Sequence, residues 1–140
     1  MTLKEFFEGD KFAKLAGAEL IEVGEGYAKA KMEVGDEHLN GGGVCQGGAL
    51  FTLADLAFAA AVNSHGTLTF NTSSNIVFVR SANKGTIYAE AREVVNHHRM
   101  PYGEVKVTDA EGNLLAIFTS SGYRKQGTFI EFDKPECPCR

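Results

Sequence analysis

A chain of 140 residues, 44% hydrophobic and 23% charged, has the size and composition of one soluble globular domain with a sizeable core. The net charge of −4, with no run of more than two adjacent basic residues, argues against nucleic acid and anionic membrane surfaces as partners. The N-terminus carries charges where a signal peptide needs an apolar core, so we expect a cytoplasmic protein.

The first predicted elements are short. Residues 3–15 repeat apolar side chains at a roughly helical period, which predicts one amphipathic helix or two shorter pieces divided at Gly9-Asp10. Residues 18–23 form the first predicted strand. Residues 27–34 form the second, because apolar and polar residues alternate strictly there. The glycines of residues 24–26 predict a hairpin turn between them.

A long apolar helix follows a glycine-rich loop. Between Ala49 and Val62 every residue is apolar except Thr52 and Asp55, which is typical of a buried helix. An ionised carboxylate is out of place there, because burying it without compensation costs several kcal/mol. Thr52 and Asp55 lie three residues apart and therefore share one face of the helix.

The glycines before this helix allow two interpretations. A helix N-terminus offers unpaired N–H groups and partial positive charge, and glycines let a ligand approach the backbone, so an oxyanion formed during acyl transfer would be stabilised there. Alternatively, Gly47 and Gly48 only permit a tight turn, and Asp55 joins a buried structural salt bridge. The glycine loop and helix alone leave both open.

Four more strands are predicted after the helix, at residues 75–80, 86–95, 103–109 and 114–124. Short turns between them predict an antiparallel meander. No clear element is predicted from Gln126 onward. A wholly apolar helix beside a sheet with one apolar face implies an α+β fold in which the sheet wraps the helix.

The cysteines and histidines form no metal-binding pattern. Cys45 lies alone in the glycine loop, and Cys137 and Cys139 form a Cys-Pro-Cys pair at the C-terminus. Zinc sites usually need two spaced pairs of ligands, and an odd number of cysteines is no disulfide framework. We therefore expect no metal and no cofactor, and we give Cys45 no nucleophilic role because no histidine is adjacent to it in the sequence.

Several of these motifs together resemble a known family. They are His38-Leu39-Asn40, Gly43, Gln46-Gly47-Gly48, Leu53-Ala54-Asp55, residues 59–64 and residues 75–85. Over roughly residues 10–125 the chain resembles the hotdog fold, in the PaaI-type branch of the 4-hydroxybenzoyl-CoA thioesterase superfamily. The resemblance implies an antiparallel sheet wrapped around a long central helix. We place one hotdog domain at residues 1–126 and a C-terminal tail at 127–140.

The resemblance also implies catalytic roles. Asp55 matches the family's carboxylate, which acts as a general base on water or as a nucleophile. Gly47 matches the residue whose backbone N–H polarises the thioester carbonyl, and Asn40 a side chain that places the thioester or the lytic water. Ser73 matches a hydroxyl that binds this water in some members, although Thr72 and Ser74 leave its register open. Burial is expected to raise the pKa of Asp55, against the effect of nearby N–H donors.

Substrate contacts are assigned to five further residues: His38, Gln46, Gly48, Thr52 and Arg80. Many relatives carry histidine at the position of Gln46, and glutamine does not titrate near neutrality, so no proton is exchanged there. We expect five basic side chains either to contact CoA phosphates or to be solvated at the surface: Arg80, Lys84, Arg99, Arg124 and Lys125.

The resemblance therefore implies an acyl-CoA thioesterase, which hydrolyses a thioester to a free acid and CoA. It implies a homodimer with active sites shared between the subunits, paired again into a homotetramer. The alternative is a non-catalytic hotdog that binds acyl-CoA as a sensor or regulatory subunit. A hotdog dehydratase needs a catalytic histidine, which this helix and its glycine motif lack.

Overall fold

The computed structural model describes residues 1–133 and has the predicted α+β architecture. The Cys137 and Cys139 tail lies outside the described residues. In chain order the elements are α1 (Leu3–Phe7), α2 (Lys11–Ala16), β1 (Glu19–Gly24), β2 (Tyr27–Val34), a 3-10 turn (Asp36–His38), α3 (Gly47–Asn63), β3 (Thr67–Phe78), β4 (Gly85–Val95), β5 (Tyr102–Asp109) and β6 (Leu114–Phe129).

The N-terminal segment forms two short helices, one of the two predicted arrangements. Asp10 is the N-cap of α2, and its carboxylate accepts a hydrogen bond from the N–H of Ala13 at 3.0 Å. Gly17 ends α2 with a φ of +81°, a left-handed conformation that glycine adopts without steric cost.

All six strands pair antiparallel in the order β1-β2-β4-β5-β6-β3. The predicted meander is correct for β4, β5 and β6 and wrong for β3, which pairs with β6 instead of β4. Strand β6 continues past residue 126, where no element was predicted, and ends at Phe129. This long strand pairs with β5 on one side and β3 on the other, so β3 becomes an edge of the sheet.

Strand β3 begins at Thr67, eight residues before the predicted start at Asn75. The prediction was wrong because Thr69 is buried and Asn71 is half-buried, while Phe70 between them is 56% exposed. The inward face of this strand is therefore polar and its outward face apolar. That reverses the alternation by which a half-buried strand is identified in a sequence.

The central helix is buried in the curved sheet, as predicted. Its fully buried residues include Leu53, Ala57 and Phe58, and alanines of β2 and β4 pack in the same core. Small side chains on both surfaces let the helix axis approach the sheet closely. The stripe formed by Thr52, Asp55 and Ala59 stays half-buried and faces outward from this core.

The two edges of the sheet differ. Edge strand β3 and the residue after it expose large apolar side chains: Phe70, Val77, Phe78 and Val79. Edge strand β1 is only six residues long and has a register irregularity between Leu20 and Glu22. Among residues 1–133, no helix is long and apolar enough to cross a membrane.

Candidate active site

Asp55 is held by an amide and not by a cation. Its Oδ1 accepts a hydrogen bond from the Nδ2 of Asn71, and no basic side chain in residues 1–133 forms an ion pair with it. Burial raises the pKa of Asp55, the Asn71 hydrogen bond opposes this rise, and the negative charge of Asp10 adds to it. The predicted direction is confirmed, and the salt-bridge alternative is wrong.

Asn71 is a site residue that sequence reasoning missed. It lies on β3. The buried Asn63 side chain fixes the start of this strand against the end of α3, because it accepts a hydrogen bond from the N–H of Thr69 at 2.8 Å and donates one to the C=O of Thr69 at 3.0 Å. Asn71 follows two residues later and reaches Asp55. The available signal was its place in the polar run from Asn71 to Asn75, although nothing in the sequence pairs that run with α3.

The N-terminus of α3 offers free hydrogen-bond donors. Gln46 is the N-cap and makes no side-chain capping bond. The N–H groups of Gly47 and Gly48 donate to no acceptor within residues 1–133. A β-carbon at position 47 would lie 2.6 Å from Cζ of Phe78, so a side chain there requires this half-exposed ring to move. These donors are available to a ligand with negative charge.

Asn40 shapes the glycine loop. Its Oδ1 accepts hydrogen bonds from the N–H of Gly42 at 2.9 Å and of Val44 at 3.4 Å. Its backbone N–H donates to the carbonyl of Val44 at 2.8 Å. The Nδ2 group makes no hydrogen bond in the described part of the chain, so only this donor is free for a substrate.

His38 is buried and holds the loop. Its Nδ1 accepts from the N–H of Gly35 at 3.0 Å, and its Nε2 lies 2.6 Å from the carbonyl of Ala16, which fixes the proton on Nε2 in the neutral ring. Thr52 is similarly engaged, because its hydroxyl donates to the carbonyl of Gly48 at 2.9 Å. Thr52 can therefore accept from a ligand but not donate to it.

Ser73 makes no hydrogen bond with Asp55. It is exposed, follows a register shift in the pairing of β3 with β6, and makes no side-chain hydrogen bond within residues 1–133. The Oγ of the neighbouring Ser74 lies 2.7 Å from that of Ser120. Strand β3 thus brings Asn71, and neither serine, to the carboxylate.

The remaining predicted residues line two separate clefts at the start of α3. The larger, of about 760 Å³, is lined by His38, Gln46, Gly48 and Thr52, together with Phe12 and Leu15 of α2. The smaller, of about 380 Å³, is lined by Asn40, Gly47 and Arg80, together with Phe78 and Val79. Asp55 and Ser73 line neither cleft.

Arg124 is neither a solvated surface group nor free for a phosphate, contrary to expectation. It is 7% exposed, and its guanidinium donates to Glu93 at 3.2 Å and to Asn96 at 2.7 Å. Lys84 forms an exposed ion pair with Asp36. Arg80 makes no ion pair within residues 1–133, which leaves its charge available in the smaller cleft.

Cys45 is unsuited to nucleophilic chemistry. It is 5% exposed, and burial raises the pKa of its thiol, so the reactive thiolate is disfavoured. Over residues 1–133, no three His, Cys, Asp or Glu side chains lie close enough together to hold a metal ion.

Known proteins resemble this chain over most of its length. A family model for the thioesterase superfamily matches residues 42–116. A putative esterase of Archaeoglobus fulgidus is 39% identical over 124 residues, covering 88% of this chain and 80% of the relative. The acyl-coenzyme A thioesterase PaaI of Escherichia coli is 35% identical over 125 residues, covering 87% and 88%.

A solved structure agrees with these sequence matches. The E. coli PaaI protein from the phenylacetic acid degradation operon superposes with a TM-score of 0.85 at 33% identity, covering 89% of this chain and 91% of that one. The sheet wrapped around α3 is therefore the hotdog fold. The chain belongs to the thioesterase superfamily, in its PaaI-type branch, and is a thioester hydrolase.

Proposed function

We propose that this protein is an acyl-CoA thioesterase in which Asp55 is the general base or nucleophile and the N–H of Gly47 is the carbonyl donor. The observation that carries the proposal is Asp55 itself, a half-buried carboxylate with a raised pKa that is bound by an amide and forms no ion pair within residues 1–133. A carboxylate whose pKa is raised by burial is a stronger base than an ordinary aspartate. The E. coli relative is an acyl-coenzyme A thioesterase, which supports CoA as the thiol carrier.

The reaction needs a polarised carbonyl and an attacking oxygen. As a base, Asp55 takes a proton from water while the water oxygen bonds to the thioester carbon. The Gly47 N–H stabilises the oxyanion, the C–S bond breaks, and the CoA sulfur receives the proton from Asp55. As a nucleophile, an Asp55 oxygen would bond to the thioester carbon, and the C–S bond would break to release CoA as a thiolate. Water would then hydrolyse the resulting anhydride to the free acid and the Asp55 carboxylate, and its remaining proton would neutralise the thiolate.

Helix geometry supports a site shared between two subunits. Gly47 and Asp55 are eight residues apart on α3, which separates them by about 12 Å along the helix axis. A reacting carbonyl must lie about 3 Å from both the oxyanion donor and the attacking group. We therefore infer that Gly47 and Asp55 of one chain serve different active sites, each completed by the partner's copy of the other residue.

Edge strand β3 is the proposed contact between the subunits. It exposes Phe70, Val77 and Phe78 along an unpaired sheet edge, a surface that a second copy would cover. Phe78 also packs on Gly47 and lines its cleft, so a partner placed along β3 would lie beside this donor. We propose a homodimer of this kind, paired again into a homotetramer, in the cytoplasm.

The two clefts suggest where the parts of the substrate bind. We assign the CoA moiety to the cleft that holds the Gly47 donor, the Asn40 amide and the cationic Arg80, since CoA is anionic. We assign the acyl group to the larger cleft, where Phe12 and Leu15 are 67% and 82% exposed in the single chain.

The first test is thiol release from a panel of acyl-CoA esters by the wild type and by Asp55→Asn. Asparagine is nearly isosteric but cannot act as a base, so we expect a loss of about 10²-fold or more in kcat. Glu104→Gln, which neutralises an exposed carboxylate on β5, is the control and should keep full activity. Equal activity in Asp55→Asn would refute the mechanism. Tight acyl-CoA binding without turnover in the wild type would replace the proposal with a sensor.

Subunit complementation tests the shared site. Asp55→Asn and Gly47→Pro each remove one half of the proposed site, so either variant alone should be nearly inactive. If the two halves come from different chains, remixing the variants should restore about a quarter of wild-type activity, because half of the dimers are mixed and carry one intact site of two. No recovery in dimers shown to exchange chains would refute the shared site.

A further inference from the structure

We propose that Asn71 is the positioning residue that holds both Asp55 and the attacking water, so that the water oxygen faces the thioester. The inference rests on the proposed function and assigns a role to a residue outside the motif of the family resemblance. Its basis is the junction between edge strand β3 and helix α3, where the Asn71 amide meets the Asp55 carboxylate.

The two ends of the Asn71 amide differ in their contacts. Nδ2 donates to Asp55 Oδ1. Oδ1 is buried and accepts no hydrogen bond from any group in residues 1–133. A buried acceptor that lacks a donor costs about 1–3 kcal/mol of folding free energy. The buried carbonyl oxygens of proteins therefore nearly always accept a hydrogen bond, often from water.

The orientation of the amide follows from the charge of its neighbour. An ionised carboxylate only accepts hydrogen bonds, so the NH₂ end of Asn71 must face Asp55 and the carbonyl end must face away. Exchanging the two ends would place two oxygens in contact. The free acceptor is therefore a consequence of the Asp55 pairing.

A water bound at this junction would be oriented by two acceptors. One hydrogen would point to Oδ1 of Asn71 and the other to Oδ2 of Asp55, which the Asn71 bond leaves free. The water's lone pairs would then face away from both side chains. When the water oxygen bonds to the thioester carbon, its proton passes to Asp55, the C–S bond breaks, and the CoA sulfur takes that proton.

The same junction controls the basicity of Asp55. The Asn71 hydrogen bond lowers the pKa of Asp55, and burial raises it by a larger amount. Within the described residues, the charged side chain that affects this pKa is Asp10, which also raises it. In this proposal Asn71 binds the attacking water, the role that the family resemblance gave to Ser73. Ser73 is exposed and makes no side-chain hydrogen bond in residues 1–133.

The test compares Asn71→Leu with Asn71→Asp. Leucine has the shape of asparagine but neither donates nor accepts, and aspartate keeps the acceptor while losing the donor. Asn75→Leu is the matched control, because Asn75 is an exposed asparagine on the same strand. The readouts are kcat and KM as functions of pH, the oligomeric mass, and the pKa of Asp55 followed by carboxyl ¹³C NMR.

We expect Asn71→Leu to lower kcat by about 10²-fold with little change in KM, as for a displaced reacting group. The pKa of Asp55 should rise, since a donor that lowers it is lost, and the acidic limb of the rate profile should move to higher pH. Asn71→Asp should move this limb to still higher pH, because the two carboxylates repel each other. At high pH Asn71→Asp should be more active than Asn71→Leu, since aspartate keeps the acceptor for the water.

Several results would overturn the role of Asn71. One such result is that Asn71→Leu has the same kcat as the control Asn75→Leu, and that the acidic limbs of their pH–rate profiles coincide. Another is a loss of activity explained by a change in oligomeric mass, which would make Asn71 structural. If Asp55→Asn is inactive while Asn71→Leu is fully active, the positioning role fails and the proposed function stands. If the wild type has no turnover, the NMR readout decides, and an unchanged Asp55 pKa in Asn71→Leu refutes the role.

Discussion

The ring of Phe78 packs directly on Gly47, so that a β-carbon at position 47 would lie 2.6 Å from Cζ of Phe78. Position 47 therefore carries a steric requirement, because any added side chain must displace the half-exposed Phe78 ring, and this requirement is independent of any role of the N–H in catalysis. The two requirements can be separated because Gly47 is the first residue of α3, a position at which proline is well tolerated.

Gly47→Pro and Gly47→Ala should differ in activity far more than in stability. Both add a β-carbon against Phe78, but only proline removes the N–H. We expect kcat of Gly47→Pro to be lower than that of Gly47→Ala by about 10²–10³-fold, the usual effect of losing one oxyanion donor. Steady-state kinetics and thermal unfolding of both variants provide the measurement, and equal kcat values would mean that this N–H does not act on the oxyanion.

Asp10→Asn should move the acidic limb of the kcat/KM profile to lower pH. The charge of Asp10 raises the pKa of Asp55, so removing it lets Asp55 stay ionised in more acidic solution. Asparagine caps a helix as well as aspartate does, so α2 should keep its stability. Glu8→Gln neutralises an exposed carboxylate nearby, and its profile should match the wild type. A limb that does not move in Asp10→Asn would contradict the coupling.

Asp55→Asn should stabilise the protein while inactivating it. An asparagine at position 55 can accept from Nδ2 of Asn71 and donate to its buried Oδ1, so the two amides pair reciprocally. The charged group that burial disfavours is also removed. We expect Tm to rise by about 2–8 °C at neutral pH, the usual shift for one to two kcal/mol in a domain of this size.

The gain in Tm should depend on pH with a defined sign. Because the pKa of Asp55 is higher in the folded than in the unfolded chain, wild-type stability falls as pH rises between these two values. The difference between Asp55→Asn and the wild type should therefore be small below about pH 3, where aspartate is mostly protonated even in the unfolded chain, and full above the folded pKa. A gain that is constant with pH would contradict the raised pKa.

The buried ion pair of Arg124 and Glu93 should matter far more for stability than an exposed pair of the same length. Arg124–Glu93 and Arg92–Glu90 are both 3.2 Å apart, but the first pair is buried and the second largely exposed. Glu93→Gln leaves a buried guanidinium without its counter-charge and should cost about 3–5 kcal/mol. Glu90→Gln should cost at most about 1 kcal/mol. Denaturant unfolding of both variants measures the contrast, and equal losses would contradict it.

The parts of the fold that were predictable are those where one strong local pattern applies. The apolar run of α3 and the strict alternation of β2 identified both elements, and a carboxylate inside the apolar run identified Asp55. Each of these signals is contained within a few turns or a few residues of chain.

The parts that were missed depend on contacts distant in sequence. Strand β3 pairs with β6, although β4 and β5 lie between them in the chain, whereas short turns alone favour the pairing of consecutive strands. Asn71 is one of several polar residues on β3, and only the three-dimensional placement of β3 against α3 distinguishes it from Ser73. Asp10 was predicted as a helix break, and its effect on Asp55 likewise requires the folded chain.

The unequal edges of the sheet limit how far the protein can polymerise. Two copies that pair through β3 would form one continuous sheet with a β1 strand at each end. Strand β1 is short, irregular between Leu20 and Glu22, and carries exposed acidic side chains, all of which hinder the addition of another strand. Growth along the sheet would therefore stop at two chains, which protects a protein with a long apolar edge strand from forming fibrils.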